Sequence, residues 1–212
     1  MNTTRTLLLS LAVAASLAAY GTPAAPAVAA PAAIAAVSGT YRLDPDHTNV
    51  LVQWTHFGFS QPSADFHIDA GTLVFDATDA GKSSVDVTLP MAAIDTFVPA
   101  LDAHLKKADF FDVARFPQAR FRSTEVKPAG GNKFIVTGML TIKDVSKPVT
   151  LDVTLNGAGK HGMTGQQAIG FSATATLKRS DFGVGAFAPA VSDEVRLRIT
   201  TEGSLPAVAG KE

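Results

Sequence analysis

From about residue 40 onward, apolar and polar residues alternate with period two, the spacing that puts side chains on opposite faces of a strand. Val50, Val52, Trp54 and His56 share one face of a first run. Leu73 and Phe75 share a face of another, and Val85, Val87 and Leu89 alternate with Asp86 and Thr88. Phe134, Val136, Gly138, Leu140 and Ile142 form a long apolar stripe, and Val149, Leu151, Val153 and Leu155 alternate with Thr150, Asp152 and Thr154 just after it. Ile169, Phe171, Ala173, Ala175 and Leu177 make a further stripe, and Val195, Leu197 and Ile199 alternate with Arg196, Arg198 and Thr200 in the last. Asp79-Ala80-Gly81-Lys82, Pro128 to Asn132, Ser146-Lys147-Pro148 and Gly157-Ala158-Gly159 punctuate the runs as turns.

One segment has helical spacing. Between Pro99 and Ala108, Leu101, Leu105 and Ala108 recur at i, i+4 and i+7, and Phe110-Phe111 follows. The pattern predicts a short helix over an end or flank of the sheet. About eight strands at hairpin spacing predict an all-β fold, an eight-stranded antiparallel barrel, because closure removes exposed strand edges. The inward positions mix large residues (Trp54, Phe134, Phe171) with small ones (Gly138, Ala173, Ala175). Small inward residues leave room for a ligand, but they also ease strand bending, and periodicity leaves both readings open.

The N-terminal segment changes the picture of compartment. Met1 to Thr6 carries one cation, Arg5, and Leu7 to Ala19 is apolar apart from Ser10 and Ser16. A core of about 13 residues suits a signal peptide and is too short for a bilayer of about 30 Å. Ala27-Val28-Ala29 offers the cleavage pattern, so 1–29 reads as a signal peptide and 30–39 as an Ala/Pro-rich lead-in. The barrel domain then spans 40–206, with a tail at 207–212. Ser16 to Gly21 has lipoprotein-like spacing, but Tyr20 stands where an acylated cysteine would, and thioether lipidation needs sulfur. The expected location is the periplasm, without a membrane anchor.

Composition removes several function classes. The chain has no cysteine, which excludes disulfides, thiol catalysis and thiolate metal sites. Net charge is −1 and no Lys/Arg cluster occurs, which argues against nucleic acid. The five histidines, His47, His56, His67, His104 and His161, show no ligand-like spacing. His56 shares the phase of Val50, Val52 and Trp54, so it points inward, either as a satisfied core group or toward a ligand's polar head. Asp102 and His104 lie two apart on the helix and do not share a face. No Gly-x-Ser-x-Gly elbow or paired glutamates suggest hydrolysis, so no enzyme activity and no cofactor are expected. Arg179-Ser180-Asp181-Phe182-Gly183 reads as a bulged turn with a charge-paired arginine.

Four stretches together resemble the YceI family of bacterial envelope proteins. They are Tyr41 to Thr48 leading to Trp54-Thr55-His56-Phe57-Gly58-Phe59-Ser60; Ile94-Asp95-Thr96 with Leu101 to Lys106, Asp109 to Val113 and Phe116 to Thr124; Thr137 to Val149; and Gly170 to Ala175 with Arg179 to Val184 and Ser192 to Val195. The resemblance runs from about Tyr41 to Ser204. It implies a lipocalin-like barrel that binds a polyisoprenoid or similar long amphiphile, such as an isoprenoid quinone or polyprenyl lipid, along its axis. The ligand-contacting set on this reading is Trp54, His56, Phe57, Phe59, Phe97, Asp102, His104, Phe121, Phe134, Phe171 and Phe182, with His56, Asp102 and His104 toward the head group. Two stretches depart from the family pattern. Pro62-Ser63-Ala64-Asp65-Phe66 stands where most members have Gly before the Phe, near a barrel rim. Lys143-Asp144 replaces a frequent His-Gly in a turn expected to leave the pocket alone.

Three functions remain open at this stage: a periplasmic carrier of isoprenoid lipid, a lipid- or quinone-linked redox or stress accessory, and a barrel filled by its own side chains. A homodimer is left open as well.

Overall fold

A computed structural model describes residues 34–207 of the chain. The signal peptide expected at 1–29 lies outside the described residues, as does all but the first residue of the 207–212 tail.

Ten strands form one antiparallel sheet: β1 Gly39–Leu43, β2 Asn49–Gln53, β3 Ser63–His67, β4 Ala70–Phe75, β5 Ser84–Pro90, β6 Gln118–Pro128, β7 Lys133–Ile142, β8 Val145–Lys160, β9 Gln167–Lys178 and β10 Glu194–Ser204. The helix α1 spans Pro99–Leu105, within the segment where the spacing predicts it. The strands β1, β4, β5, β6, β7, β8, β9 and β10 follow one another, and β1 pairs back with β10 to close the ring. The two remaining strands extend existing walls. β1 pairs with Gly203 and Ser204 of β10, and β2 pairs with Arg196–Thr200 of the same strand. On the next wall β4 pairs with β1 and β3 pairs with β2. The barrel therefore has the predicted eight walls, two of them interrupted.

The interruptions have local causes. Pro45 has no N–H for the ladder, and the Asp44 carboxylate accepts from the Asp46 N–H at 2.9 Å, which stabilises a 3-10 turn at Pro45–His47. Ile68, 4 % exposed, turns inward between β3 and β4.

Inward residues follow the predicted phase. Val136, Val149, Leu151, Ala173 and Ala175 pack in one cluster with Phe182 and Val184. Leu43, Ala64, Ile68, Leu89, Met91, Ile94 and Ala119 form a second, and Tyr41, Phe75, Leu155, Ile169 and Phe171 a third. Ile34 and Ala36 pack on the third cluster, and Tyr41 donates its hydroxyl to the Val37 carbonyl at 2.7 Å. The end of the Ala/Pro-rich stretch thus docks on the barrel instead of hanging free.

Candidate functional site

The inward side chains do not fill the barrel. Among the described residues its interior holds chambers of about 180 and about 660 Å³. The larger lies within the range of roughly 300–1,000 Å³ usual for small-molecule sites. Val50, Leu89, Leu140 and Leu197 line both chambers, so these four side chains form a shared waist.

The smaller, upper chamber is lined by aliphatic and aromatic residues from all eight walls, among them Leu73, Phe75, Val85, Phe121, Phe134, Val153 and Phe171. Three of its polar side chains are already engaged. The Thr48 and Thr201 hydroxyls pair at 2.8 Å, and Ser83 Oγ accepts from the Asp76 N–H at 3.0 Å.

The larger, lower chamber is walled by β2, β3, β5, β6, β7, β9 and β10, with α1 and loops around its mouth. Trp54 and His56 keep the inward phase of Val50 and Val52 beyond the end of β2, and both line it. Leu101, His104 and Leu105 enter from α1, Phe110 and Phe111 from the segment after it, and Ala186, Phe187 and Val191 from the loop before β10. The imidazoles pack edge-on against rings, His56 on Phe57 at 4.7 Å and His104 on Phe110 at 4.9 Å between centroids.

Arg179 lines this chamber, but its partners differ from the expected charge pair. Its guanidinium donates to the carbonyls of Ser192, Val184, Ala186 and Val191 at 2.6–2.9 Å. Desolvation pushes its pKa below the ordinary guanidinium value, with the nearby Asp193 opposing the shift. The Asp193 carboxylate is itself taken by the Ser180 N–H and hydroxyl. Four carbonyls take the cation in place of a carboxylate, and their spread over Val184 to Ser192 lets the planar fork hold that loop.

The residues singled out from the sequence divide into three groups. Phe121, Phe134 and Phe171 line the upper chamber, and Trp54, His56, Phe57, His104 and Phe182 the lower. Phe59, Phe97 and Asp102 line neither. Asp102 accepts from Thr96 N–H at 2.7 Å and from its hydroxyl at 2.6 Å, bonds that hold the carboxyl below its ordinary pKa. It secures the entry to α1. Gly138 does not open space: Phe121 packs over it, so the room it leaves is occupied. Of Gly138, Ala173 and Ala175, only Ala173 borders a chamber.

Of the two family departures, one lines the lower chamber and the other braces segments around it. Pro62, Ala64 and Phe66 line it directly. Lys143 lines neither chamber, as expected of the turn, but donates Nζ to the carbonyls of Phe110 and Gly183 at 3.1 Å each, tying the β7–β8 hairpin to segments that carry lining residues. The lining residues Phe111, Phe187 and Val191 lie in loops, where no period reveals their direction. Among the described residues no group of three His, Asp or Glu could hold a metal.

The YceI-like domain model matches residues 41–203. The chain belongs to the YceI family. Protein YceI of Salmonella arizonae is 37 % identical over 170 residues, covering 79 % of this chain and 88 % of the relative. Among solved structures, BcnA of Burkholderia cenocepacia aligns with a TM-score of 0.68 at 28 % identity, over 76 % of this chain and 98 % of that one. The Campylobacter jejuni YceI protein aligns at 0.63 and 31 % identity, over 72 % and 90 %. A polyisoprenoid binding domain from Saccharophagus degradans aligns at 0.59 with 12 % identity, over 78 % and 98 %, and shares the fold. The YceI barrel fold is thus present here. No helix among the described residues is long and apolar enough to cross a membrane.

Proposed function

We propose that this YceI-family barrel is a periplasmic binding and carrier protein for a polyisoprenoid or similar long-chain amphiphile, held through both chambers. The observation that carries the reading is the apolar lining on both sides of the waist, from Phe75 and Phe171 in the upper chamber to Trp54 and Phe187 in the lower. An isoprenoid chain offers almost no hydrogen bonds, and such a bore asks for none. At about 25 cal/mol per Å², a few hundred Å² of buried chain supplies several kcal/mol. His56 and His104 are the side chains suited to a neutral polar head, because Arg179 is consumed by carbonyls. The polyisoprenoid binding of the Saccharophagus degradans domain supports the ligand class, and the N-terminal signal-like segment supports the compartment.

Native mass spectrometry of the purified protein, with organic extraction of any bound lipid, tests this. The expected result is a stoichiometric long-chain isoprenoid. An empty barrel whose melting temperature does not rise when polyprenyl alcohol is supplied from detergent overturns it.

A further inference from the structure

Around the lower chamber, apolar side chains project into solvent. Phe57 and Phe59, 55 % and 91 % exposed, stand on the loop after β2. Phe187, 62 % exposed, stands on the loop before β10, and Phe97 and Val98, 69 % and 51 % exposed, immediately precede α1. These segments meet around one opening. The Phe57 N–H donates to the Ala190 carbonyl at 2.7 Å, and the Phe187 ring lies 6.3 Å from His104 of α1. Phe57 and Phe187 line the chamber itself on their inner sides.

Backbone geometry makes the exposure costly. Phe57, Phe97 and Phe187 have φ of 51°, 63° and 64°, in the left-handed region. A bulky L-residue there costs about 1–2 kcal/mol. Asp112 and Lys143 are the other described non-glycine residues with positive φ. The chain thus spends strain at three phenylalanines whose rings it leaves in water. The carboxylates beside them are turned to the loop's own backbone: Asp95 accepts from the Phe97 N–H at 2.7 Å, and Asp102 caps Thr96. The cations Lys106 and Lys107 directly follow α1.

We infer that this phenylalanine rim is a bilayer-docking surface, which seats in the interfacial region of a membrane and opens the lower chamber onto the acyl phase. Two features favour a membrane over a second copy of the chain. The rings come from separate loops around an opening instead of forming a flat patch, and two copies joined at this rim would seal both openings. The inference rests on the proposed ligand: a long isoprenoid has negligible solubility in water, so its source is a bilayer. Aromatic side chains with polar loops between them suit that boundary.

Flotation with vesicles of phosphatidylethanolamine and phosphatidylglycerol tests the rim, using the protein and a Phe59→Ser, Phe97→Asn double variant. Neither residue lines a chamber, and Asn tolerates the left-handed backbone at position 97. The parent protein is expected to float with the vesicles. The double variant is expected to lose roughly tenfold in partitioning per ring, about a hundredfold in all, while still melting higher with polyprenyl alcohol supplied from detergent. A parent protein that binds detergent-supplied lipid yet stays in the aqueous fraction overturns the docking surface and leaves the carrier reading standing. A double variant that floats as well as the parent also overturns it, as does a dimer in velocity sedimentation that these two substitutions dissociate. Flotation without uptake of any polyprenyl lipid supports docking and overturns the carrier reading.

Discussion

Substituting Gly138→Ala adds one methyl at a point where the wall has no room for it. A β-carbon built at Gly138 stands 2.5 Å from Phe121 Cζ and 2.6 Å from the Arg122 carbonyl oxygen. The ring can swing, but the carbonyl is fixed, because Arg122 pairs with Asp86 of β5 on one side and Met139 of β7 on the other. The methyl therefore drives Phe121 into the upper chamber and strains β6 against β7. Overpacking of this kind costs about 1–3 kcal/mol. Alanine's smaller loss of chain freedom returns about 0.5–1 kcal/mol, leaving a net loss of up to about 2.5 kcal/mol and centred near about 1 kcal/mol. In a domain of this size a loss of about 1 kcal/mol lowers Tm by roughly 2–4 °C. Thermal unfolding followed by circular dichroism reads the shift directly. Lipid affinity should fall as well, since Phe121 lines the upper chamber. A variant that melts at or above the parent temperature refutes the packing argument.

Other substitutions separate the parts of the site. Leu197→Trp narrows the waist, so the bound lipid should shift to shorter chains in native mass spectrometry; an unchanged ligand mass would show that the chambers are not used together. Arg179→Lys replaces a planar fork that holds four carbonyls with a point charge, which should cost roughly 2–4 kcal/mol in urea unfolding; a loss below about 0.5 kcal/mol would mean water replaces the bonds. His47 Nδ1 lies 2.8 Å from the Asp44 carboxylate, and that hydrogen bond raises the histidine pKa above its ordinary value. A raised folded pKa stabilises below the unfolded histidine pKa, and the gain disappears as pH rises through the folded value. NMR titration should find His47 high in the parent and lowered in Asp44→Asn, whose stability deficit should narrow as pH rises.

Which parts of the barrel are visible in the sequence follows from where the period survives. β7, β8, β9 and β10 carry long unbroken stripes and are legible. β6 is not, because its inward residues Ala119 and Phe121 are followed by Val126 out of phase. The extra residue at the bulge between Ser123 and Glu125 flips the face, and Arg120, Arg122 and Lys127 dominate the composition. β1 and β3 offer two inward apolar residues each, too few to establish a period. Within the site, Trp54 and His56 are legible because the chain stays extended past β2. Phe187 is not, because its direction is set by a left-handed backbone in a loop. Asp102 has the look of a ligand group, but its carboxylate goes to Thr96, a bond no spacing reveals.

The strand β10 is the seam of the barrel: it pairs with β9 along its length and with β1 and β2 on its other side. Arg42 meets Ser204 there, so closure joins residues roughly 160 positions apart and raises contact order. A chain emerging from its N-terminus has nearly all its walls but no interior until these last strand residues arrive. Until then the sheet has open edges that invite pairing with neighbouring chains. Ligand capture is thereby postponed until the whole domain is available, and a truncation before Glu194 should yield an aggregation-prone open sheet rather than a weaker binder.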